Sequence, residues 1–74
     1  MPALRKDFGN RLRNIRLERG MTQEQFAELT GMSVDFLSLI ERGINAPSFE
    51  MLERIGKSLR VPVAFLFEFS SKAR

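Results

Sequence analysis

The chain has 74 residues, 43% of them hydrophobic and 28% charged, with no Cys, His, Trp or Tyr. A polypeptide this short buries only about 60% of its unfolded surface in one modest core, and neither a disulfide nor a thiolate or imidazole metal site can reinforce it. The net charge is +3, divided as +4 over residues 1–20, −2 over 21–60 and +1 over 61–74, so the basic attraction for a polyanion lies at the N-terminal end and not in the middle.

Arg5, Lys6, Asp7, Asn10, Arg11 and Arg13 punctuate the first residues, and the longest apolar stretch, Val61 to Phe67, is far short of a membrane span. The expectation is a cytoplasmic protein with residues 1–74 folding as a single domain. Phe8, Leu12 and Ile15 recur at helical spacing, which predicts a first helix stopping at Gly20. Thr22 followed three residues later by Gln25 forms a capping box, and Phe26, Ala27 and Leu29 supply the apolar side of a two-turn second helix ending at Gly31. Ser33 caps a third helix with Leu37 and Ile40 inward, ending at Gly43. Pro47 and Ser48 open a fourth, with Leu52, Ile55 and Leu59 on its inner face. A fifth helix is predicted over about 62–69, opened by Pro62, with the β-branched Val61 and Val63 weighing against its start. The predicted fold class is all-α, a compact five-helix domain.

Two short helices joined only by Gly31, Met32 and Ser33 cannot lie antiparallel, and a short Gly-containing turn between helices marks a helix-turn-helix over about 22–43. In that geometry the start of the second helix of the pair, Val34 and Asp35, reaches base edges in the major groove. The capped start of the first offers Thr22, Gln23 and backbone N–H groups to a phosphate.

Phe8-Gly9-Asn10-Arg11-Leu12-Arg13, Arg19-Gly20-Met21-Thr22-Gln23-Glu24-Gln25-Phe26-Ala27, Leu37-Ser38-Leu39-Ile40-Glu41-Arg42-Gly43 and Pro47-Ser48 together resemble the Cro and phage-repressor (Xre) type of helix-turn-helix regulator, including the controller proteins of restriction-modification systems. The resemblance implies a homodimer on double-stranded DNA that represses or activates promoters. It also implies Gln23 on a backbone phosphate and sometimes a base, Val34, Asp35 and Leu39 facing bases, Ser38 and Arg42 on phosphates, Asn45 near the minor groove, and Arg16 paired with Glu41 across the fold. Val34 suits a thymine methyl and Asp35 the cytosine amino group, but Asp35 repels phosphate. Affinity is therefore expected from helix 1, Arg42, backbone amides and DNA shape.

Each of these residues also has a plain surface reading: Asp35 favours the positive end of its own helix, and Arg42 the negative end. Val63, Phe65, Leu66, Phe67 and Phe69 give more apolar area than one short helix can bury against so small a domain, so Val63, Phe67 and Phe69 are expected at a dimer interface. The alternative function is a protein-interaction adaptor or antitoxin-like module on the same fold. An enzyme is disfavoured by the missing acid-base and nucleophile inventory, and no cofactor, metal, membrane or small-molecule ligand is expected.

Overall fold

A hydroxyl stands at the start of three helices, and in each it does the same work. The side chains of Thr22, Ser33 and Ser48 accept hydrogen bonds from the backbone N–H groups of Gln25, Phe36 and Met51, and Gln25 completes the capping box by accepting from the Thr22 amide. These caps satisfy donors that have no intrahelical acceptor. They set the starts of the second, third and fourth helices in a computed structural model that describes residues 3–69. The described residues form α1 (Leu4–Glu18), α2 (Gln23–Thr30), α3 (Val34–Glu41), α4 (Phe49–Leu59) and a short 3-10 helix (Val63–Phe67), with no strand among them.

The helix ends follow the glycines with one exception. Gly31 takes φ 79° at the end of α2, the left-handed conformation that glycine adopts without a Cβ penalty. At the end of α4 the same conformation falls to Arg60, φ 60°, and Pro62 two residues on prevents continuation.

The expected fifth helix over about 62–69 is corrected to the single 3-10 turn, so the described residues have four α-helices, not five. Pro62 is extended at ψ 152° and donates no N–H, β-branched Val63 follows, and the turn closes through Phe65 N–H to the Pro62 carbonyl. An i→i+3 turn rarely propagates beyond one or two turns.

One cluster forms the core: Phe8, Leu12, Ile15, Phe26, Ala27, Leu37, Ile40, Leu52, Ile55, Leu59 and Leu66. Ten of the eleven residues that the sequence puts on the inner faces of the first four helices, all but Leu29, are there. Leu29 is instead exposed, and its place on α2 is taken by Thr30, fully buried with its hydroxyl donating to the Phe26 carbonyl at 2.8 Å. Such back-bonding removes the penalty of a buried hydroxyl. α1 packs across α3, and α4 packs on α2; the 3-10 turn closes over both α1 and α4. At the α1–α3 crossing Gly9 lies against the carbonyls of Ile40 and Glu41 with no room for a Cβ.

Candidate nucleic-acid interface

Position along α3 divides its residues. At 100° per residue, Val34, Asp35, Ser38, Leu39 and Arg42 fall on one side of the helix, and Leu37, Ile40 and Glu41 on the other. Burial agrees: the second set is buried, Asp35 and Arg42 are exposed, and Val34, Ser38 and Leu39 are half-buried. The face is mixed in chemistry, with two aliphatic side chains, one hydroxyl, one acid and one cation. Arg42 follows the last helical residue, and its Nε lies 3.4 Å from the Ser38 carbonyl of the preceding turn. Asn45 is exposed in the loop beyond, where its amide and that of Ile44 both donate to the Leu39 carbonyl.

The start of α2 reaches the end of α3, where Gln23 meets Glu41, while Gly31, Met32 and Ser33 join the other end of α2 to the start of α3. Thr22 is exposed and its hydroxyl is the cap acceptor for Gln25; the hydroxyl proton and the amides of Gln23 and Glu24, at the N-terminus where the helix dipole is positive, remain for an anion. Gln23 is half-buried, and its Nε2 donates one proton to Glu41 Oε1 at 3.0 Å, which ties the side chain to α3 and leaves the second Nε2 proton for another acceptor.

Glu41 is one half of the ion pair expected with Arg16. Arg16 Nε donates to Glu41 Oε2 at 2.7 Å and Arg16 Nη2 to Oε1 at 3.0 Å, while Nη1 reaches the Met21 carbonyl at 2.9 Å. The two side chains are only 9% and 3% exposed. Hydrogen bonding to Glu41 raises the Arg16 pKa above its ordinary value, against the opposing effect of burial. The linked stability is therefore complete below the arginine range and is lost only as pH climbs through the raised value, so the pair is intact at neutral pH.

Charge adds two residues that the motif did not point to. Arg5 Nη1 donates to the Ile44 carbonyl at 3.3 Å, and Lys6 lies against Gly43, which brings the basic start of α1 to the loop that carries Asn45. The only signal in the sequence is the charge excess of residues 1–20. Arg11, by contrast, is spent on structure: it donates to the Phe65 carbonyl through Nε and Nη2, at 3.1 and 2.9 Å, with its guanidinium 4.3 Å from the Phe65 ring centroid.

The residues expected at a dimer contact separate. Val63 is half-buried against α4 beside Gly56, and Phe69 packs on Phe67 with ring centroids 6.1 Å apart. Phe67 is exposed by 37% and stacks on Phe8 at 5.0 Å. It borders a groove of about 620 Å³ whose apolar lining includes Leu4, Phe8, Phe49 and Leu52, and Phe49 is 82% exposed.

Residues 12–66 match the Helix-turn-helix family. The chain belongs to this helix-turn-helix family. The resemblance to regulators of the Cro and repressor (Xre) type is borne out, and the family is one of regulators and not of enzymes. This helix-turn-helix chain is similar to the cryptic phage CTXphi transcriptional repressor RstR of Vibrio cholerae, 32% identical over 59 residues, 80% of this chain and 53% of the relative. Its fold is similar to that of the clp gene regulator ClgR from C. glutamicum, at TM-score 0.79 and 34% identity over 90% of this chain and 87% of that one. It is equally similar to the restriction-modification controller protein C.AhdI from Aeromonas hydrophila, at TM-score 0.80 and 30% identity over 85% and 96%. The chain spans about half the length of the curated relatives it matches. No helix among the described residues is long and apolar enough to cross a membrane.

Proposed function

We propose that this chain binds double-stranded DNA as a homodimer on inverted-repeat operators and regulates transcription in the cytoplasm, with residues 1–74 acting as one binding unit. The observation that carries the reading is the outward face of α3, Val34, Asp35, Ser38, Leu39 and Arg42, set next to the capped N-terminus of α2. A convex helix with its start free suits the major groove. Thr22, the α2 amides, Arg42 and the Arg5/Lys6 end of α1 supply the phosphate contacts, Val34, Asp35 and Leu39 meet base edges, and Asn45 approaches the backbone or minor groove.

Binding to duplex DNA from upstream of the gene, read by fluorescence anisotropy across a salt series, is the test. Arg42→Ala is expected to weaken binding to all sequences alike and to reduce the salt slope by about one, whereas Val34→Ala and Asp35→Ala shift sequence preference. The face also supports a second reading, because it carries one acid against one cation and two half-buried aliphatics: a protein-interaction or antitoxin-like module. That reading replaces the first if none of the three substitutions affects DNA and each breaks a protein complex.

The groove around Phe67 supports the dimer, since a twofold contact is self-complementary and would place two copies of α3 toward one face of a duplex, with half-sites about 34 Å apart. Phe49 and Phe67 are its anchors, with Phe69 behind Phe67. Phe49→Asp is expected to give a folded monomer with poor operator binding, because linking two weak sites multiplies affinity. Phe67→Asp tests the same surface but also removes the Phe8 contact. Sedimentation at micromolar concentration reads both, and a wild-type monomer of unchanged mass overturns the dimer.

A further inference from the structure

The apolar stripes of α1 and α4 run one turn further than the core they build. Leu4 stands four residues before Phe8 on α1, and Phe49 three before Leu52 on α4, spacings that put each on the same helix face as its neighbour. Yet Phe8 and Leu52 are buried, while Leu4 is 55% and Phe49 82% exposed. With Phe67, the two overhanging side chains border the groove of about 620 Å³, and Phe8 and Leu52 are its buried lining. The walls are held in place. Phe67 stacks on Phe8 from a 3-10 turn that Arg11 fixes through the Phe65 carbonyl, and Gly43 of the loop between α3 and α4 lies against Lys6. A preformed, apolar concave site of this volume falls within the roughly 300–1,000 Å³ of small-molecule sites.

The charge of the groove is one-sided. Arg5 and Lys6 line it, both exposed, and none of its lining residues is acidic. Arg5 Nη1 donates to the Ile44 carbonyl at 3.3 Å, and the rest of its planar guanidinium suits a carboxylate. An apolar slot edged by cations is complementary to a molecule that is apolar along its length and anionic at one end. Resting on the DNA-binding and dimer readings for its consequence only, we propose that the groove binds a medium-chain carboxylate, with the chain over Phe8 and Leu52 between Phe49 and Phe67 and the carboxylate on Arg5 and Lys6, and that this ligand releases the protein from its operator.

Occupancy opposes operator binding in two ways. The acyl chain fills the space that the dimer reading gives to Phe49 and Phe67 of a second copy, so ligand and partner compete. The carboxylate engages Arg5 and Lys6, the cations that the DNA-binding reading assigns to phosphates beside the loop carrying Asn45. A ligand shifts an equilibrium by its differential affinity for the two states, and this one binds the free groove and not the covered one.

The test titrates the protein with hexanoate, octanoate and decanoate, each below its micelle concentration, and with octanol and octylamine as uncharged and cationic matches. Calorimetry reads affinity, and carbon-edited NMR of the Leu and Phe side chains reads location. The expected result is saturable binding of the acids, tightening by up to about tenfold for each two methylenes added. Octanol and octylamine are expected to bind about fivefold more weakly than octanoate, and the shifts to centre on Leu4, Phe8, Phe49, Leu52 and Phe67. Arg5→Gln with Lys6→Gln removes the advantage of acid over alcohol, and Phe49→Asp removes binding of the acids; all three positions are exposed, so folding is not at stake. Saturating decanoate is expected to lower operator affinity by about tenfold or more in fluorescence anisotropy and to move the sedimenting species to monomer. Octanol binding as tightly as octanoate overturns the inference, and so does a loss of the folded spectrum in place of local shifts, which is surfactant action. Concentration-dependent shifts at Phe49 and Phe67 without binding of any acid give the groove to a second copy and also overturn it. Acids that bind while operator affinity holds overturn the release. A wild type that binds no duplex removes the DNA-binding reading and the release with it, while calorimetry still decides the carboxylate site.

Discussion

Glu41→Ala is expected to melt more than about 10 °C below the wild type. The substitution strands a guanidinium that is 9% exposed, leaving it only the Met21 carbonyl as an acceptor. Breaking one partner of a buried pair costs on the order of 3 to 5 kcal/mol, and a domain of this size shifts by roughly 4–8 °C for each kcal/mol. Small domains have only about 5–15 kcal/mol in total, so the variant sits near the edge of folding at ambient temperature. Replacing both partners, Arg16→Met with Glu41→Leu, is expected to recover most of the loss, because apolar side chains of similar volume need no partner. Calorimetry of the three proteins checks the pair, and an unchanged melting temperature for Glu41→Ala would show that it carries no stability.

The second large effect has the opposite sign from the usual one. Replacing a mid-helix glycine by alanine ordinarily stabilises by about 0.5–1 kcal/mol, and Gly9 lies in the middle of α1. Yet a Cβ there would overlap the Ile40 carbonyl oxygen and stand 2.9 Å from that of Glu41. Both are backbone atoms and cannot swing aside, so α1 and α3 must separate. Overpacking of this kind costs about 1–3 kcal/mol and occasionally more. Gly9→Ala should therefore destabilise in a chemical denaturation series, and a gain in stability would mean that the two helices are not in contact there. Because the strained contact is with the end of α3, DNA affinity is expected to fall with it.

Local rules were legible in the sequence wherever one residue decides one hydrogen bond. Thr22, Ser33 and Ser48 announced three helix starts, Gly31 announced a stop, and the 3.6-residue recurrence of Phe8, Leu12, Ile15, Leu52, Ile55 and Leu59 named the inner faces. The fifth helix failed because a run of apolar residues after a proline does not by itself make a helix; Val63–Phe67 is apolar on every side, and Pro62 fixed an extended entry that a 3-10 turn accepts more readily. Leu29 and Thr30 exchanged places because on so short a helix a shift of one residue is a shift of 100°, and the buried hydroxyl could be satisfied by its own preceding turn. At the interface, positions were legible and partnerships were not. Nothing in the spacing of Gln23 and Glu41 foretells that they meet, since that depends on how α2 and α3 cross.

The two helices that would face DNA have eight residues each, which is below the roughly 12–15 at which an isolated helix becomes even marginal in water. Their persistence rests on neighbours: Arg54 of α4 donates to the Gly31 carbonyl at 3.0 Å, and Arg16 of α1 holds the far end of α3 through Glu41. Cut out as a peptide, residues 22–43 would keep their letters and lose their shape. A small domain of this size is expected to form and lose these two helices together with the rest of its core, in one cooperative transition.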